Sequence, residues 1–461
     1  MKTASVLLSP SSVFGLPFSV LRPLSSVLCL LSLATALHAD IASNVVRSKI
    51  AGVDVLAYPT GVKDVVTIRG SLPAGDAFSA DGNVAVATLT GMLLDQGTTQ
   101  QDKFAIAEKL ERVGATIGFS VGTQMTEISA KCLKKDVPLV VSLIAEQLRT
   151  PALSAEEFEK AKKQFIGGLR RSLESPDFRA GEAFNHAIYP VGHPNRTPTT
   201  QEFIAAAESA TLEEVKAFHQ KYYGPAHLTL VVVGDVDTPQ FQAAVAEHFA
   251  GWSGGVDVLR AAPARGTDAP REQSLFMADK PSVSVVLGQP SGLRYRDADY
   301  QALRLGTAIL GSGFTGRLMA NVRDKEGLTY GIGSSLGGDT FNDGEWKIGA
   351  TFAPALLEQG LASTQRQLTR WHSEGVTDDE VARRKENVVG TFKVSLATTD
   401  GMAGSLLAAI HRGYDQSWLD EFPQKIAAIT TADVNAAIKK YVKPESLFLI
   451  KAGSVPSTAQ P

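Results

Sequence analysis

Two stretches of this chain, 223 positions apart, read alike. "LSAEEFEKAKKQFIGGLRRSLESPDFRAG" begins at Leu153 and "VTDDEVARRKENVVGTFKVSLATTDGMAG" at Val376. Aligned without gaps they share Glu157/Glu380, Lys162/Lys385, Gly167/Gly390, Ser172/Ser395, Leu173/Leu396, Asp177/Asp400, Ala180/Ala403 and Gly181/Gly404. Each opens on a hydroxyl residue followed by acids, the signature of a helix N-terminus, and then runs long and amphipathic. A repeat of this length constrains the fold more than any single motif, because each copy must bury the same face in the same way.

Other stretches agree with the repeat. "RVGATIGFS" (Arg112–Ser120) pairs with "KEGLTYGIG" (Lys325–Gly333), and "DVVTIRGSLPAG" (Asp64–Gly75) with "VSVVLGQPSG" (Val283–Gly292). Each half closes on a strand and a turn, "LTLVVVGDVD" (Leu228–Asp237) and "SLFLIKAGSV" (Ser446–Val455). Strands at the edges of each unit with long helices between them predict an α+β fold: two tandem homologous units, each a mainly antiparallel sheet covered by long helices. The units are expected at residues 45–252 and 274–455. The Gly-, Ala-, Pro- and Arg-rich stretch 253–273 joins them as a linker.

The first 39 residues differ from the rest. Lys2 and Arg22 are their only charges, and an apolar run, "VLCLLSLATALHA", ends in small residues before Asp40. It is too short to span a bilayer and fits a signal peptide cleaved after Ala39, with Ala36 as the alternative site. This predicts a periplasmic or secreted protein with no membrane insertion. The remaining chain carries 43 basic and 48 acidic side chains, a formal charge of −5, too mild to indicate nucleic acid or a membrane surface. Cys29 falls in the leader, so Cys132 stands alone and reads as packing.

The most specific stretch is "GSGFTGRLMANVRDKEGLTYGIGSSL" (Gly311–Leu336). With "ATLTGMLLDQGT" (Ala87–Thr98), read as the first long helix closed by a Gly-Thr turn, and with "YPVGHPNRTP" (Tyr189–Pro198), it resembles the pitrilysin/insulinase family of zinc metallopeptidases over essentially the whole chain after the leader. In that family the first helix carries His-x-x-Glu-His, two zinc ligands on one helix face and a glutamate that acts on the metal-bound water. Alignment on Gly97-Thr98 puts this motif at Thr88, Gly91 and Met92. Threonine is a poor zinc ligand, glycine has no side chain, and a thioether suits softer metals. Shifting the register does not help, since no His lies between His38 and His186. The third ligand of the family falls near Lys162–Leu169, which holds no carboxylate; Glu159 and Glu174 flank it.

No other chemistry takes its place. His186, His193, His219, His227, His248, His372 and His411 offer no pair four apart on a plausible helix. No G-x-S-x-G elbow supports a serine triad, and "GSGFTG" does not follow a strand in a βαβ unit as a nucleotide loop requires. What the resemblance retains is Arg323 and Tyr330, seven positions apart across a helix end and into a strand. In the family their equivalents hold and polarise the peptide. A guanidinium can anchor a carbonyl or carboxylate, and a phenol can donate to a developing oxyanion. Alternatively Arg323 pairs with Asp324 or Glu326 and Tyr330 is an ordinary strand aromatic. The resemblance implies the non-catalytic subunit of a heteromeric zinc endopeptidase: a chain with no cofactor of its own that lends Arg323 and Tyr330 to a zinc-bearing paralogous partner acting on a peptide substrate. The alternatives are a non-proteolytic scaffold of the same fold and, third, a peptidase with an unusual metal set.

Overall fold

A computed structural model describes residues 40–455; the leader read at 1–39 lies outside them. Eleven strands form two sheets. The first holds β1 (Val46–Ile50), β2 (Val53–Pro59), β3 (Val65–Leu72), β4 (Thr116–Val121), β5 (Thr126–Leu133) and β6 (Thr229–Gly234) in the order β1-β2-β6-β3-β5-β4. The second holds β7 (Glu272–Phe276), β8 (Val283–Pro290), β9 (Thr329–Gly337), β10 (Glu345–Phe352) and β11 (Phe448–Gly453) in the order β7-β11-β8-β10-β9. Without β1 the two orders are the same. In each the one parallel pair is the first strand against the last, β2 with β6 and β7 with β11, and the other pairs are antiparallel. The mainly antiparallel α+β architecture in two repeated units is therefore present.

The repeat extends to single residues. The helices Ala155–Ser172 and Pro176–Ile188 recur as Asp378–Ser395 and Thr399–His411, each displaced by 223 at both ends. The closing strands β6 and β11 both end on a glycine of positive φ, 135° at Gly234 and 133° at Gly453. A Cβ at either would lie 2.1 or 2.4 Å from the carbonyl oxygen of Val65 or Ser282. Only glycine fits that turn-out.

The helices of a unit do not all cover that unit's own sheet. Pro176–Ile188, from the first unit, lies on β8 and β11 of the second. Its Ala180, Phe184, Ala187 and Ile188 share a core with Phe448, Ile450 and Ala452. Thr399–His411, from the second unit, lies on β3 and β6 of the first. Strand β6 is consequently buried on both faces. Leu230 and Val232 turn into one core, Val231 and Val233 into the other, which explains its unbroken apolar run, unusual for a half-buried strand. The two halves exchange a helix, and the sequence boundary between them is not a packing boundary.

The linker differs from expectation too. Strand β7 begins at Glu272, inside the stretch read as linker. The preceding residues are tied down: Leu259 N–H donates to Gln124 (2.7 Å), Ala261 N–H to Asn342 (2.8 Å) and Thr267 N–H to the Ala187 carbonyl (3.0 Å). The Tyr189–Pro198 loop is a clasp. Tyr189 donates to Glu345 (2.7 Å), and the Asn195 amide donates to the carbonyls of Gly338 and Asp343 (2.8 and 2.9 Å).

Candidate functional site

The segment expected as the first long helix is helical only from Val86 to Leu93. Turns follow, and Gly97 at φ 105° redirects the chain into the next helix. On this short helix Thr88 Oγ1 donates to Asp76 Oδ1 at 2.7 Å. Burial pushes the Asp76 carboxyl up to about 6, partly offset by the Thr88 hydrogen bond. At Gly91 a Cβ would stand 2.2 Å from Cγ2 of Val121, so β4 occupies the space a side chain needs. Met92 packs partly buried against the first core. Of the three, only Thr88 borders a cavity, whose walls include Asp76, Phe165, Leu169 and Phe203. A zinc ion does not fit this donor set: Thr88 is engaged with Asp76, Gly91 offers nothing, and Met92 is packing.

The flanking acids do not repair it. Glu159 is solvated and lies 3.9 Å from Lys162, while Glu174 pairs with Lys280 at 2.8 Å. Lys162 itself caps a neighbouring helix, donating to the carbonyls of Glu208 (3.2 Å) and Ala210 (3.0 Å). Among the described residues no group of three or more His, Cys, Asp or Glu is arranged to hold a metal. Four of the histidines are engaged in hydrogen bonds or stacking. His186 Nδ1 accepts from Arg196 while Nε2 donates to the Thr197 carbonyl, and His219 Nε2 donates to the Leu148 carbonyl. His193 stacks on Tyr189, with ring centroids 4.7 Å apart. His411 Nε2 bonds Ser71 Oγ across the two halves at 2.6 Å. Cys132 is buried and free, its thiol pushed up to about 12 by that burial.

Arg323 and Tyr330 do come together. Arg323 sits on a π-helical turn, Met319–Lys325, and Tyr330 on the exposed face at the start of β9. A π-turn widens the backbone and re-aims its side chains, and such turns are frequent at functional sites. The guanidinium carbon lies 5.4 Å from the Tyr330 ring centroid and 5.3 Å from that of Phe314. It is within cation–π range of both aromatic rings. Tyr330 is 88% exposed and Phe314 73% exposed. The alternative ion pair does not form, because Glu326 is taken by Arg366 (2.9 Å) and Ser363 (2.9 Å). Phe314, in the Gly-rich loop, was not foreseen; an aromatic nine positions before Arg323 was the available signal.

The comparisons with known proteins follow this geometry. The family model described as "Insulinase (Peptidase family M16)" matches residues 57–185, and that described as "Peptidase M16 inactive domain" matches residues 209–388, together about two thirds of the chain. The chain belongs to the M16 peptidase family. An "uncharacterized zinc protease" of Streptomyces coelicolor is similar to it, 24% identical over 357 residues, 75% of this chain and 76% of that protein. A "non-peptidase homolog" of Helicobacter pylori is 19% identical over 383 residues, 81% of this chain and 85% of that protein. The fold matches the crystal structure of a "peptidase M16 inactive domain" from Pseudomonas fluorescens, with TM-score 0.81, 24% identity, and coverage of 91% of this chain and 99% of that one. It also matches "a protease" from Helicobacter pylori, with TM-score 0.77, 19% identity, and coverage of 88% and 98%.

Proposed function

We propose that this chain is the non-catalytic member of a heteromeric M16 endopeptidase and supplies Arg323 and Tyr330 to the active site of a zinc-bearing paralogous partner. The observation that carries the reading is the Arg323 guanidinium, near the rings of Phe314 and Tyr330 with no acid partner, in a chain whose Thr88, Gly91 and Met92 offer no zinc site. A surface arginine without a carboxylate, close to an exposed phenol, presents what a peptide carbonyl or carboxylate binds. Arg323 anchors the substrate, and the Tyr330 hydroxyl donates to the oxyanion that develops at the scissile carbonyl. The substrate can add as a strand to a sheet edge, giving main-chain affinity with little sequence preference. The "non-peptidase homolog" among its relatives supports a role without hydrolysis of its own.

The reading includes export, on the strength of the uncharged apolar run before Asp40. Among the described residues no helix is long and apolar enough to cross a membrane. Protein taken from the native host should begin at Asp40, or at Leu37 if the alternative site is used.

The deciding experiment is peptide cleavage by the partner combined with wild-type, Arg323→Ala or Tyr330→Phe chain, with assembly checked by size-exclusion chromatography. Loss of one preorganised donor lowers turnover by about 10²–10³-fold. If both variants assemble and cleave at the wild-type rate, the active-site role fails and a scaffold of the same fold replaces it.

A further inference from the structure

The repeat duplicates the cavity as well as the helices. Phe165, Leu169, Phe178, Gly181, Glu182 and Asn185 line the cavity beside Thr88. Their counterparts 223 positions on, Val388, Phe392, Gly401, Gly404, Ser405 and Ala408, line a cavity of about 540 Å³ in the second unit. The fold therefore builds the same hollow twice, between the sheet-covering first helix of a unit and the long helix of the repeat. Its second copy lies where the family's metal site has no equivalent.

The two copies have opposite charge. Beside Thr88 the polar walls include Asp76, Asp177 and Glu182. In the second copy they include Arg304, Arg384 and Arg412, and no Asp or Glu lines it. The three guanidinium groups make no ion pair and hydrogen-bond only to neutral groups, although buried Asp339 is within electrostatic reach of Arg412. Arg384 donates to the Ser312 carbonyl (3.1 Å) and to Asn387 Oδ1 (3.2 Å). Arg304 donates to Gln301 Oε1 (3.2 Å). Arg412 lies flat on Tyr295, 3.6 Å from the ring centroid, with its Nε buried and without a hydrogen-bond partner. Gathering three cations in a partly buried cleft with no acid in its lining, and with Asp339 answering only Arg412 from outside it, is unfavourable unless something anionic completes it. Much of the rest of the lining is aromatic and apolar, including Trp418, Phe392 and Phe422, the last 5.9 Å from the Arg304 guanidinium carbon. The volume lies in the range of small-molecule sites.

We propose that this second-unit cavity binds a small organic oxyanion, a carboxylate or phosphate carried on a flat apolar body. The head group is gripped by Arg304, Arg384 and Arg412, and the body stacks among Trp418, Phe392 and Phe422. Planar guanidinium forks suit either head group, since both present two oxygens to paired N–H donors. The site is independent of Arg323 and of any proteolytic partner.

Isothermal titration of the full chain with phenyl phosphate, benzoate, inorganic phosphate and benzyl alcohol tests this. Saturable binding is expected for phenyl phosphate or benzoate, and which of the two is tighter identifies the head group. Inorganic phosphate binds more weakly because it lacks the stacking body, and neutral benzyl alcohol shows no saturation below about 10 mM. Arg384→Gln and Arg304→Gln each weaken binding at least about tenfold, whereas Arg384→Lys, which keeps the charge and loses the fork, falls between. Arg112→Gln, on an exposed helix of the first unit outside the cavity, leaves the affinity unchanged. The melting temperature of each variant, measured without ligand, separates loss of a contact from loss of the fold; Arg384 is partly exposed on its helix, so Arg384→Gln is expected to fold. The proposal is overturned if no oxyanion saturates, or if folded Arg384→Gln and Arg304→Gln bind with wild-type affinity.

Discussion

Arg69 on β3 donates through Nε to the Asp400 carboxylate at 2.9 Å, joining a strand of the first unit to a helix of the second. Asp177, the residue 223 positions before Asp400, makes the reciprocal bond, accepting from Ser284 on β8 of the second unit. The Arg69–Asp400 pair is solvated and contributes little by itself, of order 0–1 kcal/mol. Its value is as a marker of the exchange: both aspartates sit at the start of a helix that has crossed to the other sheet. Thr67 and Thr399 share a further hydrogen bond of 2.8 Å at the same crossing.

The exchange predicts one cooperative unfolding transition for the whole chain rather than two. Calorimetry should give a single peak. Separate expression of residues 272–455 should yield a species that binds hydrophobic dye, because the face of β11 bearing Phe448, Ile450 and Ala452 loses its cover. Phe184→Ala, a first-unit substitution, should cost about 3–5 kcal/mol and lower that same single transition. Two resolved transitions would contradict the exchange.

Stability against pH should be set by two buried groups that oppose each other. Burial, aided by nearby Arg412, holds His411 down to about 4. Its neutral form is favoured in the fold, so its contribution is complete above about 6.5 and is lost as pH falls towards about 4. Asp76 is raised by burial to about 6. Its protonated form is favoured, so its contribution is complete below the ordinary carboxylate range and is lost as pH rises through about 6. Each shift corresponds to at most about 3 kcal/mol. Relative to wild type, His411→Gln should gain stability on going from pH 8 to pH 4. Asp76→Asn should gain on going from pH 4 to pH 8, since an amide oxygen still accepts from Thr88. Denaturant midpoints of the three proteins at both pH values check the signs, and parallel profiles would refute them.

Rebuilding the metal motif should fail on sterics before it fails on chemistry. Gly91→Glu drives its Cβ into Val121 of β4 and should destabilise by about 1–3 kcal/mol through overpacking. Adding Val121→Ala should recover part of that loss. The triple change Thr88→His, Gly91→Glu, Met92→His, measured for zinc by elemental analysis after dialysis, should bind less than stoichiometric metal unless Val121→Ala accompanies it. Full zinc occupancy in the triple variant alone would show that β4 yields more easily than its contacts imply.

The sequence by itself determined the repeat, and with it the fold class. The shared amphipathic pattern at a spacing of 223 fixes the same helices in both halves, with the same first and last residues, because periodicity and capping are local. It also determined which chemistry Thr88, Gly91 and Met92 cannot perform, since donor atoms are a property of residue type. Only the tertiary structure decided which sheet each helix covers. Pro176–Ile188 and Thr399–His411 each carry an apolar face that either sheet could bury, and nothing local in the chain distinguishes the two. The same holds for Arg323. Its neighbours in sequence are Asp324 and Glu326, yet its guanidinium pairs with neither and lies near Phe314 and Tyr330, with Glu326 taken by Arg366 and Ser363. The arginine-lined cavity was hidden for the same reason. Arg304, Arg384 and Arg412 are scattered along the chain, and the packing of three helices is what brings them to one hollow.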